Sequence, residues 1–357
     1  MRDYDLKRLR EHALHSHMPA IVREYGSAGV GIWRKMMEIL REELYTYIEP
    51  EIIKGTLVIF RTLDDKIPDY MKESVPFDYA EFLAQELEPS RFTDTAAIQI
   101  RNDGGYLLWK RAAFDWAILS AEAIVYLYNS RKEYLVIREN RVEIFNPSKA
   151  HASVFSIPTF RELKDALESY KRRMVRTSQC KIFSSAWNDS DRLFFRNEPK
   201  PEAILRNSLW QFLSSVLGAE VRPEQIVDES HPCDIKVTWM LTNRLAFIEI
   251  KWLGKSLSAE GRITSNHTDV RAREGARQLA DYLDANRTQA PTHETRGYLV
   301  VIDARRRGLT GSSTSIDHYN GLWYKDREVE YKPEYHKVRT DFEQPIRMYA
   351  EPICRPN

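Results

Sequence analysis

Cysteine is scarce in this chain of 357 residues: it occurs only as Cys180, Cys233 and Cys354. The three are odd in number, widely spaced and form no CxxC pair, which argues against a disulfide framework and against a zinc knuckle. Reduced thiols fit a cytoplasmic protein. Long hydrophobic runs are missing as well. No window approaches the roughly eighteen uninterrupted apolar residues of a membrane span, so no membrane partner is expected. The first residues, MRDYDLKRLREHALHSH, are charged and lack the apolar stretch of a secretory signal. Nor is there an excess of one charge: 53 Lys and Arg stand against 52 Asp and Glu, a net +1. A nucleic-acid partner would have to be met by a local cluster of charge. Internal repeats and low-complexity tracts are absent too.

What is present suits two globular domains, at about 100–200 residues each. Residues 1–50 look helical, with Ile32, Met36, Ile39, Leu40 and Leu44 on one face. The preceding GSAGVG (Gly26 to Gly31) reads as a loop and helix start. Its alternative, a phosphate-binding turn, lacks a following GK[ST]. Thr56–Arg61 reads as a strand. Phe114–Tyr128 reads as a buried helix, or a helix running into a strand, and Glu133–Pro147 as a hairpin turning at Glu139-Asn140. Trp33, Trp109 and Trp116 are most simply core residues; base stacking is the other reading. Residues 159–176 form an amphipathic helix with Leu163, Ala166, Leu167 and Tyr170 inward, ending in Lys171, Arg172, Arg173 and Arg176. Those cations complement the helix dipole, or else meet a nucleic-acid backbone. Asn188–Pro201 looks like a linker. The organisation expected is an N-terminal α+β domain over 1–155, a helix and linker over 156–198, a second domain over 199–335 and a tail over 336–357.

The second domain carries the chemistry. PEAILRNSLWQFLSSVLG is a helix opened by proline and closed by Gly218, with Ile204, Leu205, Leu209, Phe212, Leu213 and Val216 on its apolar face. Cys233–Leu241 and Arg244–Leu253 read as strands joined tightly through Thr242-Asn243. Strand alternation puts Glu249 and Lys251 on one face, which Asp234 can reach from the neighbouring strand. Two carboxylates and a lysine in an apolar sheet are costly unless paired. A divalent cation held by Asp234, Glu249 and the carbonyl of Ile250 would resolve that cost. Lys251 would then orient or deprotonate a water, or stabilise charge on a phosphate. A plain Lys251–carboxylate ion pair is the blander alternative. Asp269–Asn286 reads as a helix whose buried stripe is Ala272, Ala276, Leu279, Ala280 and Leu283, with Arg271, Glu274, Gln278 and Tyr282 along one edge. The strand Gly297–Asp303 and the run Arg305, Arg306, Arg307 follow. The segment Ser256–Asp269 looks like a long polar loop, able to close over a substrate. His231 reads as a surface histidine, with a substrate contact as the alternative.

Pro232-Cys233-Asp234, Glu249-Ile250-Lys251 and Gln278 to Tyr282 (QLADY), in this order and on these elements, resemble the PD-(D/E)XK nuclease superfamily over roughly residues 199–310. The resemblance implies an α/β fold: a restriction-endonuclease-like α-β-β-β-α-β core with a mixed sheet flanked by helices. It implies a Mg2+-dependent phosphodiester hydrolase, with Mn2+ able to substitute, in which Asp234 and Glu249 bind the metal, Lys251 assists catalysis and Gln278 organises the site. Glu202 stands where the family often supplies a further acid from the first core helix. Arg271, Arg277 and Tyr282 are the side chains expected to meet nucleic acid, DNA before RNA. The biological setting implied is bacterial defence against foreign DNA. Residues 1–190 lie outside the resemblance, and are left to recognise DNA, sense a signal, or dock a partner protein or a second copy. The competing reading is a non-catalytic nucleic-acid-binding or structural subunit of a larger defence or repair complex.

Overall fold

The structure, a computed structural model, describes residues 3–355 except 69, 72, 88–91, 111–114, 139, 147–151, 158, 229–230, 241, 243 and 291–292. Of residues 3–7, 52, 225–228, 231 and 232 it describes the backbone alone. The chain forms two compact units, Met1–Arg161 and Glu162–Asn357. Both are mixed α/β, each with a mixed sheet flanked by helices. No helix of the described residues is long and apolar enough to cross a membrane.

In the first unit α1 (Asp3–Ser16) and α2 (Met18–Ile39) precede a seven-stranded sheet. Its strands are β1 (Thr56–Thr62), β2 (Val75–Phe77), β3 (Thr95–Ile100), β4 (Tyr106–Lys110), β5 (Ala123–Asn129), β6 (Lys132–Ile137) and β7 (Asn140–Ile144). They lie in the order β2-β4-β3-β1-β5-β6-β7, and only β1–β3 is parallel. Strand alternation feeds two cores. Leu57 and Ile59 face the cluster that includes Trp33, Met36 and Leu40 of the helical segment, while Val58 and Phe60 face one that includes Trp109 and Leu119. Of the two readings of Phe114–Tyr128, a helix running into a strand is the observed one: Trp116–Glu122 is helical and β5 follows directly. Phe114, Glu139 and Pro147 lie outside the described residues. At Gly26–Gly31 the chain kinks rather than forming an open loop: α2 is two helical stretches joined at Gly26 (φ 68°), so the expected helix start falls there, in a backbone region that glycine enters without cost.

In the second unit the helices used below are α3 (Pro201–Val216) and α4 (Asp269–Gln289). Its strands are β8 (Phe195–Arg196), β9 (Glu220–Asp228), β10 (His231–Trp239), β11 (Arg244–Leu257), β12 (Ile263–His267), β13 (Glu294–Asp303) and β14 (Ile346–Tyr349). The order α3-β9-β10-β11 is an antiparallel meander. It continues through β12 and α4 to β13, which lies parallel to β11. The full sheet order is β14-β13-β11-β10-β9, with β8 and β12 on the far end of β11. The expected stripe of α4 is buried, and Ala272, Ala276, Leu279, Ala280 and Leu283 pack with Phe247, Leu299 and Val301 of the sheet.

Several boundaries differ from the sequence reading. Residues 162–198 belong to the second unit rather than to a linker: Tyr170 donates to Ser208 of α3 at 2.9 Å, and Trp187 stacks on Phe195 of β8. Residues 336–357 are no tail, because β14 extends the sheet alongside β13 and Arg347 reaches the buried Asp303 at 2.8 Å. The strand β9 lies over residues whose side chains show no clear alternation and from which the sequence alone gives no strand. Ser256–Asp269 is not an open loop, since β12 folds back on the prolonged β11. The β10–β11 hairpin closes from Trp239 to Arg244, a wider connection than a two-residue turn. Val216 is 36% exposed rather than part of the apolar face, and Leu217 in an extended conformation, not Gly218, ends α3.

Candidate active site

The site forms where β10 leaves β11. The two strands pair in register up to Ile235 opposite Ile248. One step further, the carboxylate of Asp234 replaces the backbone as acceptor, and its Oδ2 takes the N–H of Ile250 at 2.8 Å. In a strand the N–H and C=O of one residue point to the same edge, so the carbonyl of Ile250 also faces the side of Asp234.

On β11 the period of two puts Glu249 and Lys251 on one face, where the ammonium of Lys251 binds Oε1 of Glu249. Lys251 also donates to Oε1 of Glu202 at 3.1 Å, from the first turn of α3. The other oxygen of Glu202 accepts from Arg271 of α4 at 3.3 Å, and Arg271 pairs with Glu274 at 3.4 Å. Asp234, Glu249 and Lys251 are all buried, at 8%, 1% and 3% exposure. Four elements of the second unit therefore converge on one charged cluster.

Its electrostatics are unbalanced. Burial, reinforced by the charge of Asp234, pushes the carboxyl of Glu249 up to about 8, against the pull of Lys251. Burial likewise raises Asp234, against the N–H of Ile250 and the charge of Lys251. For Lys251 burial works against the charge, yet Glu249 and Glu202 hold its ammonium above the ordinary lysine value. Glu249 Oε2 is buried without any hydrogen-bond partner, an arrangement that costs about 1–3 kcal/mol or more when the group is charged. Such an oxygen beside a second buried carboxylate suits a hard divalent cation.

The donors a cation would meet are Asp234, the free oxygen of Glu249 and the Ile250 carbonyl, the all-oxygen chemistry that Mg2+ prefers. Among the described residues no group of three or more His, Cys, Asp or Glu side chains gathers at metal-binding spacing. Among the described residues the donor set offered is two carboxylates and one carbonyl.

The structure also brings in residues that sequence reasoning missed. Arg206, one turn beyond Glu202 on α3, donates to Asp234 Oδ1 at 3.0 Å and pairs with Glu224 of β9. The i, i+4 spacing from Glu202 was the available signal. His267 at the end of β12 lies edge-on to Trp252 at 4.3 Å and is lowered by burial, then by Arg271, with Glu202 and Lys251 also in range. Gly275 of α4 brings the helix backbone against the Lys251 stem.

One expected contact needs correction. Tyr282 is 2% exposed and no surface for nucleic acid; its hydroxyl accepts from Gln278, and the burial and nearby charge of Glu249 raise its pKa. Its ring belongs to the buried face of α4 because position 282 stays in phase with Leu279 and Leu283. Gln278 binds Tyr282 and, among the described residues, no carboxylate of the cluster. Arg277 is exposed on α4 with no bond to the cluster among the described residues. The side chain of His231 lies outside the described residues.

Comparison with family models, with curated proteins and with solved structures found no match to this chain.

Proposed function

We propose that the second unit is a metal-dependent nuclease of the PD-(D/E)XK type, hydrolysing phosphodiester bonds in nucleic acid, DNA before RNA. The observation that carries this reading is the buried, unpartnered oxygen of Glu249 beside Asp234 and Lys251. The restriction-endonuclease-like core is supported by the element order α3-β9-β10-β11-α4-β13, with the hairpin β12 inserted ahead of α4.

In this reading Asp234, Glu249 and the Ile250 carbonyl hold Mg2+ or Mn2+. When bound, such an ion supplies a Lewis acid and a water of lowered pKa. Asp234 is oriented by the Ile250 N–H, while Arg206 donates to its other oxygen. Lys251 is held between Glu249 and Glu202 as an ammonium. That state suits it to stabilise negative charge developing on the phosphate better than to act as a base. Glu202 positions Lys251 and Arg271 together, and Arg271 stands at the rim as a phosphate contact. Gln278 steadies Tyr282, which forms the wall on the side of α4. Destruction of foreign DNA is the cellular role this activity would serve, and a partner protein or a second copy would dock through the first unit.

The test is incubation of the purified protein with plasmid, linear DNA and RNA in Mg2+ or Mn2+, beside Lys251→Ala and Asp234→Asn. Wild type should yield metal-dependent products and both variants none. Cleavage retained by either folded variant, or no product from wild type on any substrate, rejects the reading.

A second reading has one observation in its favour. Arg206 and Lys251 already lie on the carboxylates, so the cluster would serve as a structural ion-pair core in a protein that only binds nucleic acid. Calorimetry with Mg2+ separates the two, since a structural core takes up no metal.

A further inference from the structure

Beside the cluster, in the same unit, lies a cavity of 260 Å3 with a different chemistry. It opens where β11 turns at Gly254 (φ 133°) and is closed by the loop that follows β13. Lys255, Arg305, Arg306 and Arg307 line it, and none of its lining residues is acidic.

The cations differ in how far they are neutralised. Arg305 is committed to Asp303 and Asp269. Among the described residues Lys255 donates only to the carbonyl of Leu309, at 2.5 Å. Arg306 is 6% exposed, bonded to backbone carbonyls and to Tyr349, with its Nε unpartnered. Arg307 is exposed and lies over the ring of Trp323 at 4.0 Å, with Arg327 also stacked on that ring at 4.1 Å. Among the described residues none of Lys255, Arg306 and Arg307 has a carboxylate partner. The cavity also takes in Thr268, the N-cap of the 21-residue helix α4, whose side chain makes no capping bond. The positive end of that helix adds to the field.

We propose that this cavity is a phosphate-binding subsite that holds the nucleic-acid strand a short distance from the bond to be cut. Three cations that form no ion pair among the described residues repel one another around one concavity and are relieved by an anion. Arginine in stacked, planar presentation suits phosphate oxygens. His267 lines the cavity and sits within reach of the charges of Glu202 and Lys251, so the two sites adjoin. Lys255 lies four residues beyond Lys251 on β11, at most about 13 Å along a strand. The phosphate held there therefore belongs to a neighbouring nucleotide, not to the scissile group. The proposal rests on the nuclease reading only in taking a nucleic-acid strand as the bearer of that phosphate.

The test is the anisotropy of labelled single-stranded and duplex oligonucleotides bound to the full chain, in EDTA so that nothing is cut, over a range of salt. For Lys255→Met combined with Arg307→Gln the Kd should rise at least tenfold. The slope of log K against log salt should flatten by about one to two, as each lost phosphate contact removes nearly one unit. Arg307→Lys should restore the slope lost in Arg307→Gln. If the double variant fails to fold, Arg307→Gln alone still reports, because that residue is exposed. Oligonucleotides with and without a 5′-phosphate distinguish an internal phosphate, bound equally in both, from a terminal one. Unchanged Kd and slope in the variants, or no binding by wild type, overturns the subsite. Cleavage by wild type with unaltered binding in the variants rejects the subsite and leaves the nuclease reading. Binding that depends on Lys255 and Arg307 in a protein that cuts nothing rejects the nuclease reading alone.

Discussion

Gly275 of α4 presses directly on Lys251 of β11: a Cβ at position 275 would stand 2.5 Å from Lys251 Cγ and 3.1 Å from Leu299 Cδ1. The helix thereby fixes the lysine stem and aims its ammonium at Glu249 and Glu202. Gly275→Ala should displace Lys251. Overpacking of this kind costs about 1–3 kcal/mol, and a misplacement of about 1 Å at a reacting group costs about 100-fold in rate. The expected result is a folded protein with cleavage reduced about 100-fold. Unchanged cleavage would mean that Lys251 is not the group this contact positions.

Metal should stabilise the second unit through Glu249. A ligand at a hundred times its Kd adds about 2.7 kcal/mol to the folded state, so Mg2+ should raise the melting temperature of wild type. Glu249→Gln removes one carboxylate donor and should abolish the shift, with no loss of stability in EDTA. A shift of equal size in Glu249→Gln would place the metal elsewhere.

Arg206 donates to Oδ1 of Asp234, the carboxylate that the proposed cation would also draw on. A hydrogen bond between charged groups is worth about 1.5–3 kcal/mol. Arg206→Ala should therefore lower the Mg2+ concentration for half-maximal thermal stabilisation by about tenfold. A midpoint that does not move would show that Arg206 stays on Asp234 when metal binds.

Glu133 in the first unit predicts a pH effect independent of that site. Its carboxylate accepts from Tyr126 and Ser153, both at 2.6 Å, and from the N–H of Val154 at 2.8 Å. Burial nevertheless outweighs the three donors and pushes its pKa up to about 7, from 4.5. A carboxyl raised on folding holds its proton better in the folded state. Its contribution is full below pH about 4.5 and is lost as pH rises through about 7, a change of about 3 kcal/mol. Urea unfolding of the first unit should show that fall, and Glu133→Gln should flatten it. An equal slope in Glu133→Gln would assign the effect to other groups.

Truncation after Pro333 should unfold the second unit rather than trim a tail. It removes β14 and takes Arg347 from Asp303, which is fully buried and would keep only Arg305. Native-like melting of the truncated protein would sink this expectation.

Sequence by itself determined the elements whose signal is local. The alternation of Arg244–Leu253 placed Glu249 and Lys251 on one face, and the 3.6-residue stripe of Ala272 to Leu283 gave α4 its buried side. Asp234 was legible because it sits on the strand paired directly with β11. Tertiary structure alone decided what joins distant segments. Arg206 on Asp234, His267 edge-on to Trp252, the cations around the cavity beside β12 and the pairing of β14 with β13 depend on register and helix placement across many residues. It also decided the roles of ambiguous side chains: Tyr282 looked available for contact and is buried, while Ser256–Asp269 looked like a free loop and is a hairpin. The physical reason is range. Periodicity reports which face of an element is apolar, but convergence of charge and the pairing of non-neighbouring strands are settled only when those faces are packed together.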